Sequence, residues 1–400
     1  MARIIQTADL SPESNLSRND TEWVYNGLDC AVTFEILEEI LSHRDNVSTH
    51  TYAFSQALQA PVLEMSLRGI LVNQSRRSRV LKTFRTQLEL LEANLARLVT
   101  EGVGAPMFNW RSPVQLNNFL YSVMQLPVQR KRNSKGLMMP TSNREAIEKL
   151  SAYFIASPVC NHLLALRDLG KKIGFLETGI DPDGRMRSNF NIAGTNTGRL
   201  ASAMSDFGTG SNLQNVDREL RSVFMADPGY KFANLDLEQG DSRNVGAICW
   251  NTFVETHGEV FAGSYLNACE SGDLHTTVSK MVWPNLPWTG DPKKDKEIAE
   301  QIFYRQDSYR QMSKKGGHGT NYFGKDSTMA MHLKMPKAII GEFQRSYFGQ
   351  FPVIGSYSRD PKLTNWHNHV RQQIKDRAAL TTLFGRRRHF FGRPDDDSTL

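Results

Sequence analysis

The stretch Phe232-Ala-Asn-Leu-Asp-Leu-Glu-Gln-Gly-Asp-Ser-Arg243 contains a short apolar run that ends in an acidic residue. Phe232, Ala233 and Leu235 precede Asp236, and the polar residues that follow are typical of the start of a helix. This pattern predicts a β-strand that carries a carboxylate at its end. A lone Asp in such a place more often caps a helix than binds a ligand, so the rest of the chain must decide between the two interpretations.

Three further polar blocks accompany this stretch. They are Thr195-Asn-Thr-Gly-Arg-Leu-Ala-Ser202, Asn212-Leu-Gln-Asn-Val216, and the series Arg310, Lys314, His318 and Tyr322. The four-residue steps of the last block predict a stripe along one side of a helix. Cations on such a stripe suit a triphosphate, and an aromatic residue at its end can stack on a base. The spacing alone, however, favours an ordinary solvated helix face.

The order of these blocks resembles the polymerase domain of family A DNA polymerases, the group of bacterial DNA polymerase I and many phage replicases. The segment from Asp236 to Arg243 resembles motif A of that family, whose usual form is Asp-Tyr-Ser-Gln-Ile-Glu-Leu-Arg. The segment from Arg310 to Tyr322 resembles motif B. The resemblance implies an α+β right-hand polymerase fold with a helical thumb, an antiparallel-sheet palm and helical fingers.

The resemblance also implies DNA-templated nucleotidyl transfer from dNTPs on a DNA primer-template. That reaction uses two Mg²⁺ ions about 4 Å apart. Asp236 would bind both ions, together with the carbonyl oxygen of Leu237. Arg310 and Lys314 would bind the phosphates of the incoming nucleotide, and Lys314 would also protonate the pyrophosphate leaving group.

Further nucleotide contacts follow from the same resemblance. Gln239 matches the Gln of motif A, and Tyr322 would lie beside the nascent base pair. Asp241 stands where the family has Glu, as a steric gate against the ribose 2′-hydroxyl, and its shorter side chain leaves the strictness of sugar selection open. His318 replaces the usual Phe or Tyr. His275, in an Asp-x-His segment similar to that of the family, is interpreted equally well as a phosphate ligand or as a structural residue.

Contacts with the primer duplex are implied for Arg199, Asn212, Gln214 and Asn215. Each base pair offers an acceptor at a similar place in the minor groove, so an Arg and amides there test pair geometry without reading sequence. Capping and turn formation remain the alternative for the Asn residues.

Gly316, Gly317 and Gly319 fall within the predicted motif B helix. Each costs roughly 1 kcal/mol of helix propensity relative to Ala. We therefore expect them to interrupt this helix, which favours a mobile fingers element.

The domains implied by the resemblance are a remnant of a 3′-5′ exonuclease domain (1–45), the thumb (46–175), the first part of the palm (176–250), the fingers (251–350) and the start of the second palm part (351–400). The remnant is implied by Tyr25-Asn-Gly-Leu-Asp29, which resembles the last motif of the family's proofreading exonuclease and places Tyr25 and Asp29 on one helix face. Within the thumb, an apolar stripe predicts one long helix. The stripe consists of Val80, Phe84, Leu88, Leu91, Leu95 and Leu98.

The His-Asp-Glu motif that supplies the second catalytic carboxylate in the family does not occur in this sequence. The run Asp395 to Asp397 follows Pro394 in a loop-like stretch and is interpreted as a solvated tail. We therefore expect one piece of a split or truncated polymerase, inactive alone and completed by a partner fragment that carries the motif. Two alternatives stay open, a non-catalytic primer-template-binding subunit and a single-subunit RNA polymerase. The Thr-Gly-Arg block, the Asn-Leu-Gln-Asn block and Asp241 argue against the latter.

Composition limits the protein class only loosely. The chain has 48 Lys and Arg against 42 Asp and Glu, a formal net charge of +6. This mild basic excess permits a nucleic-acid partner without establishing one. The four cysteines form no CxxC pair, so neither a zinc site nor a disulfide framework is indicated. No apolar run reaches the roughly 20 residues of a membrane span, and we expect a cytoplasmic protein, in the host cytoplasm if phage-encoded.

Overall fold

The computed structural model describes residues 17–43 and 45–392. These divide into two compact units. One contains the described residues up to Pro61, the loop Thr195–Arg199 and the described residues from Val370 onwards; the other contains Val62–Gly194 and Leu200–His369. The predicted acidic tail from Asp395 to Asp397 and the first residues of the predicted exonuclease remnant lie outside the described residues.

Helices dominate the described part of the chain. They are α1 (Arg18–Ser42), α2 (Asn46–Ala57), α3 (Gln59–Arg68), α4 (Gln74–Arg97), α5 (Pro113–Asn118), α6 (Arg144–Leu150), α7 (Ser157–Glu177), α8 (Gly240–Glu270), α9 (Leu274–Val282), α10 (Pro292–Ala299), α11 (Tyr309–Asn321), α12 (Asp326–Leu333), α13 (Lys337–Gln350) and α14 (Trp366–Arg377). Of these described helices, none is long and apolar enough to cross a membrane.

The strands are short and pair antiparallel. They are β1 (Ile70–Val72), β2 (Arg130–Arg132), β3 (Met138–Pro140), β4 (Arg185–Met186), β5 (Asn189–Asn191), β6 (Ala201–Ala203), β7 (Phe224–Met225), β8 (Ile302–Tyr304), β9 (Asp307–Ser308), β10 (Ala379–Thr381) and β11 (Arg387–His389). One sheet has three strands in the order β4-β1-β7, and the others are two-stranded. In the larger sheet, Leu71 lies opposite both Arg185 and Met225. The architecture is α+β, as predicted.

The predicted strand before Asp236 is absent. Residues 231–237 have no regular secondary structure, and Phe232 and Leu235 are 62% and 92% exposed. A strand needs a neighbour that accepts and donates its backbone hydrogen bonds, and no strand within residues 17–43 and 45–392 pairs with this segment. The prediction of a strand ending at Asp236 is therefore wrong, whereas the helix predicted after it, α8, does begin at Gly240.

The predicted thumb helix is present as α4. The side chain of Asn73 caps it by accepting a hydrogen bond from the backbone N–H of Arg76 at 2.9 Å. Its apolar stripe packs against α7, where Leu95 is fully buried. The second half of the stripe joins a core with α5 and α6, while Val80 and Phe84 pack against a smaller core around Leu176. The interpretation of the stripe as ordinary core is confirmed.

A second large core lies among α8, α9, α11 and α13. Helix α8 is broken at Gly258, whose φ of 78° and ψ of 166° are not helical. Helix α11 is continuous, so the expected interruption by glycines is wrong. A Cβ at Gly316 would lie 2.7 Å from the ring of Phe343, and one at Gly317 would lie 3.3 Å from the ring of Tyr347. These glycines let α11 pack closely against α13, and this packing outweighs their low helix propensity.

Candidate nucleotide-binding site

A cleft of about 380 Å³ lies where the start of α8, the start of α9 and one face of α11 meet. The predicted site residues that line it are Leu237, Gln239, Asp241, His275, Lys314 and His318. The buried side chains of Tyr265 and Tyr347 also line it. Residues about 80 positions apart in the sequence thus share one concave surface, although Asp236, Arg310 and Tyr322 do not line it.

The four-residue stripe predicted for motif B is present on α11. Ser308 caps the helix by accepting a hydrogen bond from the backbone N–H of Gln311 at 3.1 Å. Lys314 and His318 are exposed. Tyr322 directly follows the last helical residue, is 52% exposed, and its ring centroid lies 4.7 Å from that of His318. Lys314 and His318 therefore line the cleft from α11, and the ring of Tyr322 lies next to that of His318.

Asp273 joins the starts of α9 and α11. Its carboxylate accepts hydrogen bonds from Arg310 Nε at 2.7 Å and Nη2 at 2.9 Å. It also caps α9, because it accepts from the backbone N–H of Thr276 at 3.2 Å and from the Thr276 hydroxyl at 2.6 Å. Burial would raise the pKa of Asp273, but the hydrogen bonds from Arg310 and Thr276 and the charge of Arg310 lower it to about 2. Arg310 is thus held by a charged partner before any ligand binds.

His275 is the second residue of the helix that Asp273 caps, and it lines the cleft. Burial lowers its pKa to about 4, and the positive charges of Arg310, Lys314 and His318 add to this effect against the opposing charge of Asp273. The imidazole is therefore neutral near pH 7. An anion placed among these groups would be attracted by the cations and would favour protonation of His275.

Gln239 has an unusual backbone at the start of α8. Its φ of 57° lies in the left-handed region, which is uncommon for a residue other than Gly. Its side-chain Nε2 donates to the carbonyl oxygen of Gly272 at 3.1 Å and so ties α8 to the loop before α9. Its Oε1 is buried without a hydrogen-bond partner in the described part of the chain. Strained backbone and unpaired buried acceptors collect at ligand sites.

The predicted metal ligands Asp236 and Leu237 lie at the surface, before the start of α8. Asp236 and Leu237 are exposed, and the carbonyl oxygen of Leu237 accepts a long bond from the N–H of Gly240 at 3.4 Å. Among the residues the structure describes, no group of three or more His, Cys, Asp or Glu side chains could hold a metal ion. Mg²⁺ is bound by oxygen ligands in near-octahedral geometry, several of which are commonly water or substrate phosphate, so these donors are of the right type and would need further oxygen ligands.

The amides predicted to contact DNA belong to a local hydrogen-bonded network. The Ser202 hydroxyl lies 2.7 Å from Asn212 Oδ1 and 2.6 Å from Gln214 Oε1. Asn212 Oδ1 also accepts from the backbone N–H of Gln214 at 3.0 Å, which is a capping role. Asn215 lines a separate cavity of about 560 Å³ beside Lys171 and Lys172. The alternative interpretation of Asn212 as a cap is confirmed, and its contact with DNA stays a prediction.

Arg199 belongs to the other compact unit, which contains the loop Thr195–Arg199 together with β10 and β11. The Arg199 side chain is exposed, and its carbonyl oxygen accepts from the Thr195 hydroxyl at 2.7 Å. Gly198 has a φ of 81°, and a Cβ there would lie 2.3 Å from Arg386 Nε. The positive φ favours glycine at this position, whereas the arginine side chain could move to accept a Cβ.

Three residues at or beside the cleft were not predicted to act. Asp273 could have been suspected, because an Asp directly before a helical segment is a cap and hence lies at a helix start. Tyr265 and Tyr347 carry no such signal. They lie in apolar helical stretches, where an aromatic residue is typical of core.

Comparison with known proteins decides the family. A family model described as DNA polymerase family A matches residues 76–397. The chain belongs to family A of the DNA polymerases. It is 24% identical to DNA polymerase I of Geobacillus stearothermophilus over an alignment of 347 residues, and this alignment covers 84% of this chain and 34% of that protein. It is also 24% identical to the thermostable DNA polymerase I of Thermus aquaticus over 407 residues, and that alignment covers 97% of this chain and 42% of that protein.

The same family accounts for the fold. The chain is similar to the POL domain of Pol1 from M. smegmatis, solved in complex with DNA primer-template and dNTP, with a TM-score of 0.58 and 22% identity over 84% of this chain and 53% of that chain. The predicted right-hand polymerase fold is confirmed at the level of this family. This family A chain spans about a third to two fifths of the length of the curated relatives it matches.

Proposed function

We propose that this chain takes part in DNA-templated nucleotidyl transfer, as the part of a DNA-directed DNA polymerase that binds the dNTP and the primer-template. The observation that carries the proposal is the cleft shared by Asp241, His275, Lys314 and His318. Membership of family A supports the reaction class. The solved relative binds DNA primer-template and dNTP, and we propose the same ligands here.

The cleft suggests a division of roles among its residues. Arg310, Lys314 and His275 would bind the triphosphate, and Lys314 would donate a proton to the pyrophosphate as it leaves. The paired rings of His318 and Tyr322 would stack against the incoming base. Asp241 would lie beside the sugar, and its position in the first turn of α8 supports this placement.

We propose that Asp236 and the Leu237 carbonyl oxygen supply some of the ligands for two Mg²⁺ ions. When bound, such ions lower the pKa of the attacking 3′-hydroxyl and neutralise the triphosphate. The shortage of oxygen donors in the described residues means that the remaining ligands would come from the nucleotide and from a second carboxylate supplied elsewhere.

We propose a complementary polymerase fragment, carrying a His-Asp-Glu motif, as the source of that carboxylate. The segment 230–237 supports this, because it is apolar, exposed and not hydrogen-bonded into a sheet. Tyr230, Phe232 and Leu237 are 69%, 62% and 85% exposed. A strand from the fragment, paired with this segment, would cover these side chains and satisfy the backbone groups beside Asp236.

For the primer duplex, we propose contacts from Arg199, Asn212, Gln214 and Asn215. A second candidate function is a non-catalytic primer-template-binding subunit, which is favoured by the incomplete donor set for metal. The two functions differ in what a completing fragment does. It would enable synthesis in the first case and would leave only salt-dependent binding in the second.

Primer extension tests the proposal. The purified chain would be assayed with Mg²⁺ and dNTPs, alone and with a polypeptide from the same genome that carries the His-Asp-Glu motif. We expect synthesis only from the mixture, its loss in Asp236→Asn, and nucleotide affinity reduced about 10–100-fold in Lys314→Ala.

The control is Lys337→Ala, which removes an exposed lysine that pairs with Asp326 and does not line the cleft. Asp236-dependent synthesis by the chain alone would refute the need for a fragment. Absence of both nucleotide and primer-template binding would refute the function itself, and incorporation of rNTPs in preference to dNTPs would indicate an RNA polymerase.

A further inference from the structure

A buried polar cluster surrounds Asn321, the last residue of α11. Asn321 is 2% exposed. Its side-chain Nδ2 donates to the Tyr265 hydroxyl at 2.8 Å, and its Oδ1 accepts from the Tyr347 hydroxyl at 2.9 Å. Tyr265 and Tyr347 are each 1% exposed. One side chain therefore connects α8, α11 and α13 through two directional bonds.

The backbone of the same residue is held as well. His367 Nε2 donates to the carbonyl oxygen of Asn321 at 3.1 Å. That carbonyl belongs to the peptide that joins Asn321 to Tyr322, so the bond restrains the plane of this peptide. The His367 ring also stacks on Phe323, with centroids 4.0 Å apart and an interplanar angle of 22°. Tyr322 thus lies between Asn321 and Phe323, and His367 contacts both of these residues.

Burying polar groups in such a cluster costs free energy, so its presence suggests a role beyond stability. An apolar residue of similar size at position 321 would need no buried hydrogen bonds, whereas Asn must satisfy its amide and orient two phenols. Satisfied buried polar groups select one arrangement of the helices around them, because any other arrangement leaves donors unpaired. The arrangement selected here is the one in which α11 ends at Asn321, directly before Tyr322.

The cluster also reaches the cleft. Tyr265 and Tyr347 both line it, together with Lys314 and His318 of α11. Tyr322 departs from helical geometry at φ −91° and ψ 35°, and its ring lies 4.7 Å from that of His318. Tyr322 is thus the first residue after the segment that the bonds of Asn321 hold in place.

We propose that Asn321 is a positioning residue, which fixes Tyr322 through the hydrogen bonds to Tyr265, Tyr347 and His367 and thereby sets how strictly the cleft selects a correctly paired nucleotide. The effect on nucleotide selection rests on the proposed function, whereas the positioning of Tyr322 concerns the fold alone. Each of the two is therefore tested by its own measurement.

The first measurement follows Tyr322 directly. A ring-fluorinated tyrosine is placed at position 322 of the full chain, and its fluorine NMR spectrum is recorded without ligand. We expect one resonance in the parent chain and several resonances or a broadened one in Asn321→Leu. Ser279→Ala is the control, since it removes another buried bond to α11, the 2.8 Å contact with Ser313, and should leave the spectrum unchanged.

The second measurement compares matched with mismatched dNTP on a chain-terminated primer-template. We expect Asn321→Leu to reduce the ratio of the two dissociation constants about tenfold, and Ser279→Ala to leave the ratio unchanged. If Asn321→Leu fails to fold, Tyr347→Phe replaces it. This variant removes one hydroxyl and should give the same changes to a smaller extent.

An unchanged spectrum in a folded Asn321→Leu or Tyr347→Phe chain overturns the proposal. An altered spectrum with an unchanged ratio overturns the role in selectivity. If the parent chain binds no nucleotide but the spectrum still responds to Asn321→Leu, the positioning of Tyr322 is supported and the proposed function fails.

Discussion

The two sides of the cleft differ in how they are held. On one side, α11 packs into a core with α9 and α13, and its Arg310 is paired with Asp273. On the other side, residues 230–237 are exposed and irregular up to the start of α8. The first side is ordered by contacts within the chain. The second side has exposed apolar side chains, and its backbone is not paired with any strand of the described residues. The difference shows that packing within the chain orders α11, whereas the segment that leads to α8 is left without such packing in the described part of the chain.

The largest effect is expected from opening the core behind α11. Phe343→Ala should lower the free energy of unfolding by about 3–5 kcal/mol, because it leaves a cavity beneath a fully packed helix. Urea denaturation measures this. The change also makes room for a Cβ at position 316, so Gly316→Ala should destabilise the parent chain but stabilise the Phe343→Ala variant by up to ~1 kcal/mol. Destabilisation in both backgrounds would contradict the close packing described here.

The second largest effect is expected from the ion pair between Asp273 and Arg310. Asp273→Ala removes the cap of α9 and the partner of Arg310, and we expect a loss of about 1–3 kcal/mol in the free energy of unfolding. Asp273→Asn is the matched control, because Asn still caps a helix and should cost less. Equal losses for the two variants would show that the charge on Asp273 contributes nothing.

A pH dependence should also come from this side. The pKa of His275 is about 4 in the folded chain, below its ordinary value of 6.5. The unfolded chain therefore binds a proton between these values that the folded chain does not bind. Stability from neutral His275 is fully present above about pH 6.5 and is lost as the pH falls towards 4.

Partial exposure of the ring limits this loss to about 1–2 kcal/mol. Denaturation curves measured across this range for the parent chain and for His275→Gln check the prediction. The variant should have a flatter dependence on pH, and curves of equal slope would show that His275 is not responsible.

The smallest effect is expected on the exposed side. Leu235 is 92% exposed, so Leu235→Ser should change the free energy of unfolding of the isolated chain by less than about 0.5 kcal/mol. The same change should weaken binding of the completing fragment, which titration of the fragment onto the two chains measures. A large loss of stability in the isolated chain would mean that this segment is already packed, and the contrast between the two sides would fail.

Sequence patterns predicted the elements that local physics controls. The apolar stripe on α4 and the four-residue stripe on α11 are periodic segments that begin at capped helix ends, and the start of α8 follows a change from apolar to polar residues; each was found where expected. The strand before Asp236 was not found, because a strand depends on a neighbour that a local pattern does not reveal. The glycines of α11 were misinterpreted for a related reason, since their close contact with α13 involves residues far along the chain.

By itself, the sequence determined the order of the motifs, the class of the fold, and which side chains are candidates to bind a nucleotide. Residue types and short spacings are sufficient for this, because they encode helix faces and ligand chemistry. Only the tertiary structure decided that Asp273 holds Arg310, that Asn321 joins two buried tyrosines, and that the segment around Asp236 is exposed. Each of these depends on contacts between distant residues, whose pairing is set by packing of the whole domain.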